Sequence, residues 1–286
     1  MLIWGRKILD ENGGIVSPGT RDQILGEKFV PFTPSHVAAV LPLIASERLR
    51  RVLDPWALAL GTMVPDLPIF FPFLPDYSFW HSITGVFTID LFAVLVLLAV
   101  FHVVLRDPLT ALLPPGLAGR AASVAPGMYG LRRLPSAVAG GIVGTMTHLF
   151  WDSFTHSYSV RIWGWEWLDT QVAGLLPLFR VLQYISTVIG LAIVAWWVWR
   201  GLSRIEPQEL PERLVLSAGV RRGVLRVTAL AIPLGAIAWL VVFSADSLSQ
   251  AVSRLGAGVV VGCCAPLLTY ALIWQLRRAM AVFEGA

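Results

Sequence analysis

Seven apolar stretches constrain this chain more than any other feature; they run roughly over residues 33–46, 56–73, 81–105, 135–157, 174–199, 223–245 and 255–276. Several reach the roughly 20 residues that a helix needs to cross a bilayer. The expected fold class is therefore all-α: a polytopic membrane protein with about seven transmembrane or re-entrant helices. The first stretch is short for a full span and reads as tilted, interfacial or re-entrant. By length alone, 286 residues would suit one or two soluble domains, but 56% hydrophobic and 14% charged residues with a mean hydropathy of +0.70 exclude that.

The net charge of +4 comes from arginine, since the chain has only two lysines. The arginines sit between apolar runs. Arg48, Arg50 and Arg51 follow the first; Arg106, Arg120, Arg132 and Arg133 lie between the third and fourth. Arg200, Arg204, Arg213, Arg221 and Arg222 lie between the fifth and sixth, and Arg277 and Arg278 follow the seventh. If the stretches alternate across a bilayer, all four clusters fall on one side, as the positive-inside rule requires of cytoplasmic loops. That reading makes nucleic acid an unsuitable partner and puts the N-terminus outside and the C-terminus in the cytoplasm. Trp80, Trp163, Trp165 and Trp167 fall on the opposite side, as an interfacial aromatic belt. Cys263 and Cys264 are adjacent in an apolar run and read as small apolar residues.

Residues 1–29 are polar and aperiodic, and are expected to be a disordered extension or to precede the true translation start at Val30. The remaining organisation reads as a helical membrane domain over 30–200 that carries the site, a cytoplasmic loop over 201–222, and a two-helix membrane hairpin over 223–286. The 106–134 connection is also expected to be a loop.

The chemistry-bearing residues gather on the arginine-poor side. His148, Asp152 and His156 recur every four residues, close to one helix face with a drift of about 40° per step. Ionisable groups are costly in a membrane and mark sites, and histidine with carboxylate suits a divalent metal such as zinc. Thr33-Pro34 reads as a helix start that puts His36 in the first turn, with Thr33 as the cap. Pro65 and Pro68 flank Asp66 and should break the second stretch, and His81 opens the third. His148 and His156 stand about 12 Å apart along a straight helix, too far for one ion. The spacing favours His148 and Asp152 completed by Asp66 and either His36 or His81, or Asp152 between two ions; His156 is a further ligand or a proton carrier. His102, near the other end, reads as structural, and Asp90 lies on the opposite helix face from His81.

These residues carry a resemblance. Pro31-Phe-Thr-Pro-Ser-His36, Val64-Pro65-Asp66, His81-Ser82, the His148-to-His156 stretch and Leu182-Gln183-Tyr184 resemble a bacterial integral-membrane family of unknown function over roughly residues 30–190. More distantly, the same order is similar to predicted membrane-bound metal-dependent hydrolases and to the zinc-dependent phospholipase C group. The resemblance implies that His36, Asp66, His81, His148 and Asp152 are metal ligands, in the inner membrane of a bacterium. The chain departs from the phospholipase pattern by lacking a following HxxxE helix.

Together these readings lead to the expectation of a metal-dependent hydrolase, with zinc as cofactor, acting on a lipid-linked or membrane-proximal phosphoester. Asp152 or Asp66 is the expected proton acceptor, His156 the donor, and Arg180 a phosphate contact. Membrane lipid is the expected partner. The competing expectation is a non-enzymatic protein, either a metal or proton transporter or a structural bundle.

Overall fold

The computed structural model describes residues 33–71, 73–124, 130–206, 208–245 and 248–284; the readings on residues 1–29 and on Val30 lie outside them. A 3₁₀ turn at Thr33–His36 leads into α1 (Val37–Ala45). The second apolar stretch breaks into α2 (Pro55–Gly61), a 3₁₀ turn at Val64–Asp66 and α3 (Leu67–Phe70). Pro65 and Pro68 explain the break, because neither can donate to the preceding turn and each clashes with a continuing helix. After α4 (Tyr77–Trp80), the long α5 (Ile83–Leu112) follows, with π-helical turns at Val86–Asp90 and Phe101–Leu105.

Next come α6 (Pro115–Val124), α7 (Leu134–Thr155) and α8 (Tyr158–Trp163). A small antiparallel hairpin pairs Gln171 with Pro177 and Val172 with Leu176, turning at Gly174 with φ +69°. The chain ends in α9 (Leu178–Ser203), α10 (Ala218–Val242) and α11 (Leu248–Glu284).

Among the described residues, four helical spans are long and apolar enough to cross a membrane: Ile83–Leu112, Leu178–Ser203, Ala218–Val242 and Gln250–Ala281. The protein is helical and of membrane type. The second apolar segment is divided by its prolines into short helical pieces. The 106–134 connection also contains more helix than expected: α5 continues to Leu112, and α6 covers Pro115–Val124. Apolar side chains such as Val188, Leu230 and Val241 project outward from the long helices, as lipid-facing positions do.

The centre of the fold is the close packing of α2 on α7. Gly140, Gly141 and Gly144 of α7 face Asp54, Leu58 and Gly61 at backbone distance; a Cβ on Gly61 would lie 2.5 Å from the Gly141 carbonyl oxygen. Asp54 caps α2 by accepting from the Trp56 and Ala57 amides, both at 3.0 Å. This contact fixes the end of α2 beside His148, one helical turn beyond Gly144.

Candidate metal centre

Asp66, His81, His148 and Asp152 are brought together from three different places in the chain. Asp66 closes the proline-bounded turn, His81 caps the end of α4, and His148 and Asp152 sit one turn apart on α7. All four are buried, and each offers one ligand atom within 4.8 Å of the others.

The distances between these atoms carry chemical meaning. His148 Nε2 lies 3.2 Å from Asp152 Oδ2, 3.3 Å from His81 Nε2 and 3.7 Å from Asp66 Oδ1. His81 Nε2 lies 3.6 Å from both Asp66 Oδ1 and Asp152 Oδ2. Direct imidazolium–carboxylate hydrogen bonds would be about 2.7–2.9 Å. Four ligands at about 2.0–2.1 Å from a tetrahedral zinc stand about 3.3–3.4 Å from one another. The observed spacing is that of donors around an ion.

Hydrogen bonding at the far side of each imidazole agrees. His148 Nδ1 donates to the Thr62 carbonyl at 2.8 Å, and His81 Nδ1 to the Tyr77 carbonyl at 3.2 Å. A carbonyl only accepts, so in the neutral ring Nδ1 carries the hydrogen and Nε2 turns a lone pair inward. Two such lone pairs face each other across 3.3 Å, an arrangement that a cation between them relieves. Two carboxylates and two neutral imidazoles sum to a charge of about −2, which a divalent cation balances in a low-dielectric interior. The group can hold a metal ion.

Surrounding residues hold these ligands in place. Thr33 Oγ1 donates to Asp66 Oδ2 at 2.8 Å, so its hydroxyl serves the carboxylate rather than the helix cap read from sequence. The Tyr77 ring stacks on His81 with centroids 3.8 Å apart, and its hydroxyl reaches Asp66 Oδ1 at 3.4 Å. His36 stacks on His148 and points Nε2 at Asp152 Oδ1, 3.6 Å away. It therefore lies beside the four-donor group, and His81 completes that group. His36 is 2% exposed, and neither of its ring nitrogens has a hydrogen-bond partner.

His156 caps the end of α7: at φ −131°, ψ 149° its backbone is extended, and its Nδ1 is 3.6 Å from Asp152 Oδ1, one turn back along the helix. Arg180 donates to Gln183 Oε1 at 2.7 Å, which turns the Gln183 amide nitrogen toward His156 Nε2 at 3.5 Å. His156 Nε2 is thus the acceptor, and Nδ1 carries the hydrogen toward the Asp152 carbonyl at 3.3 Å. Sequence reading missed the roles of Thr33, Tyr77 and Gln183. Thr33 and Gln183 did stand in motifs that carry the family resemblance, whereas Tyr77 carried no signal beyond proximity to His81.

Two further ionisable residues of α5 stay outside the group. His102 packs against Trp56 and Phe101 toward the opposite end. Asp90 is fully buried, and neither carboxylate oxygen has a hydrogen-bond partner. Asp90→Asn should accordingly leave metal content unchanged, whereas Asp66→Asn should remove most of it; elemental analysis of the two purified variants reads the difference. Equal loss in both would mean that the four-donor group is wrongly drawn.

Comparison with known families places the chain. A family model described as a domain of unknown function, DUF4184, matches residues 30–272. The chain belongs to the DUF4184 family. The match takes in the whole candidate site and continues through α10 into α11, so the final hairpin is part of the DUF4184 domain. No curated protein and no solved structure matches the chain.

Proposed function

We propose that this DUF4184 protein is a membrane-bound, metal-dependent hydrolase that acts on a lipid-linked or membrane-proximal phosphoester. The observation that supports it is the spacing of Asp66, His81, His148 and Asp152, 3.2–3.7 Å between facing donors, with both histidines held by backbone carbonyls. Zinc suits that donor set. A bound divalent metal supplies a water whose pKa falls towards about 7 and a polarised ester oxygen.

The chain's own groups supply the rest. Side-chain exposure is 13% at His156 and 7% at His81, against 0–1% at His36, Asp66, His148 and Asp152, so a substrate approaches from the His156 side. Asp152 turns Oδ2 to the centre and keeps Oδ1 beside His36 and His156. It is placed to accept a proton from water, while Asp66 is already engaged by Thr33 and Tyr77. His156 can donate to a leaving group as the imidazolium, taking up a proton at its accepting Nε2 before one is given up. Arg180 acts through Gln183, orienting His156. Under the positive-inside rule the arginine-bearing ends face the cytoplasm, which puts this site at the outer face of a bacterial inner membrane.

One observation favours a second reading, a metal or proton transporter. Asp90 is an ionisable residue farther along α5 with no hydrogen-bond partner, and ionisable residues that continue into a membrane mark ion pathways. The deciding measurement is metal content by elemental mass spectrometry on wild type and His148→Ala/Asp152→Ala, followed by phosphate release from phospholipid vesicles. Stoichiometric metal lost in the double variant, with metal-dependent hydrolysis, is expected. Metal without hydrolysis favours transport, and a metal-free wild type after incubation with zinc or manganese sinks the hydrolase and metal-transport readings.

A further inference from the structure

One face of the helical hairpin formed by α10 and α11 carries an open groove of about 1430 Å³. The sequence explains its shape. The two helices touch at glycines: a Cβ on Gly235 would stand 2.5 Å from the Gly258 carbonyl oxygen, and one on Gly262 would strike the Ala231 carbonyl. Just past this contact on α11, Pro266 removes a backbone donor and crowds the preceding turn, as Pro233 does within α10. Both helices continue through their prolines, and the small residues at the contact, Ala231, Gly235 and Gly262, line the groove that runs over it.

The walls are almost wholly apolar, with Val224, Val227, Trp239, Val261, Ile273 and Trp274 among them. The volume exceeds the roughly 300–1,000 Å³ of pockets for drug-sized ligands. One end is different: it is lined by Arg213, Arg277 and Arg278. Arg213 and Arg278 approach the same Asp107 oxygen at 3.7 and 3.5 Å, and Arg106 approaches the other oxygen at 3.4 Å. Asp107 thus supplies one negative charge among Arg106, Arg213, Arg277 and Arg278, leaving this end formally about three charges positive at neutral pH. Its position is fixed, since Tyr270 donates to the Pro108 carbonyl and Gln275 to the carbonyls of Val103 and Val104, tying α11 to the end of α5.

An apolar groove on a membrane hairpin with a cationic end has the chemistry to take an acyl chain joined to an anionic headgroup. We infer that this groove is a binding site for an anionic glycerophospholipid, its acyl chain along the face of α10 and α11 and its phosphate at Arg213, Arg277 and Arg278. The inference does not depend on the metal centre.

The test is native mass spectrometry of the full chain extracted from vesicles of equimolar phosphatidylcholine and phosphatidylglycerol. Wild type should retain phosphatidylglycerol over phosphatidylcholine by at least about fivefold, the worth of roughly one basic residue near an anionic surface. Arg213→Gln/Arg277→Gln/Arg278→Gln should bring the two lipids to parity. Ala265→Trp, which fills the groove and leaves its cationic end intact, should lower retention of both. Circular dichroism shows whether each variant is folded, and adding salt to wild type gives a check without substitution, since it should erode the preference. Equal retention of the two lipids by wild type, or a preference that survives the triple substitution, overturns the inference.

Discussion

Asp152→Asn is expected to lower metal content from about one ion per chain to less than about a tenth under the same buffer, with the fold intact. The substitution keeps the size of the side chain and removes its charge. Asp152 Oδ2 is the atom closest to His148 Nε2, at 3.2 Å, and also faces His81 Nε2 at 3.6 Å. Loss of a residue that only orients a ligand typically costs about 10–100-fold in metal affinity, so loss of a ligand should exceed that. Competition with a chelator of known affinity measures the change, and circular dichroism with size-exclusion behaviour checks the fold. If Asp152→Asn bound metal as wild type does, the centre would not be a metal site and the proposed chemistry would have no footing.

The same substitution separates a cation site from a hydrogen-bonded cluster. Without an ion, the two imidazoles would have to be protonated to satisfy the two carboxylates, and their Nε2 hydrogens would point at each other across 3.3 Å. Breaking a buried ion pair by removing one partner typically destabilises by about 3–5 kcal/mol. A metal site predicts instead that metal-stripped wild type and Asp152→Asn have similar thermal stability, and that added zinc raises only the wild-type value.

Much of the site was legible in the sequence because its grammar is local. His148 and Asp152 share a helix face at four-residue spacing, and the prolines around Asp66 mark a break that the structure contains. The arginine clusters indicated that these residues belong to one end of the bundle. What the sequence could not supply was the tertiary choice between His36 and His81. Both begin apolar segments on the same side, and only the packing of α4 against the proline turn brings His81 to Asp66. Hydropathy likewise read the run around Pro65 and Pro68 as one segment, whereas it folds as separate short pieces. The end of α7 at His156 was also hidden: four-residue spacing already puts His156 one turn from Asp152, but nothing in the sequence marks the extended backbone there.

The glycines of α7 give the largest structural effect. Gly144→Leu should prevent accumulation of folded protein or lower its stability by more than about 3 kcal/mol, beyond the usual range of single substitutions. Even a Cβ at this position would strike the Leu58 carbonyl oxygen and lie 3.0 Å from the Gly61 Cα, so the obstacle is backbone that no rotamer change removes. Relief requires α2 and α7 to separate. Separation draws Thr62, at the end of α2, away from His148 and breaks the 2.8 Å hydrogen bond that sets the His148 tautomer. Gly144→Leu should then lose metal together with stability, whereas Gly201→Leu, at a glycine with open space where a Cβ would be, should change neither. Thermal unfolding in detergent and elemental analysis of the two variants read both effects. A folded, metal-loaded Gly144→Leu protein would show that close approach of α2 and α7 is not what positions the centre.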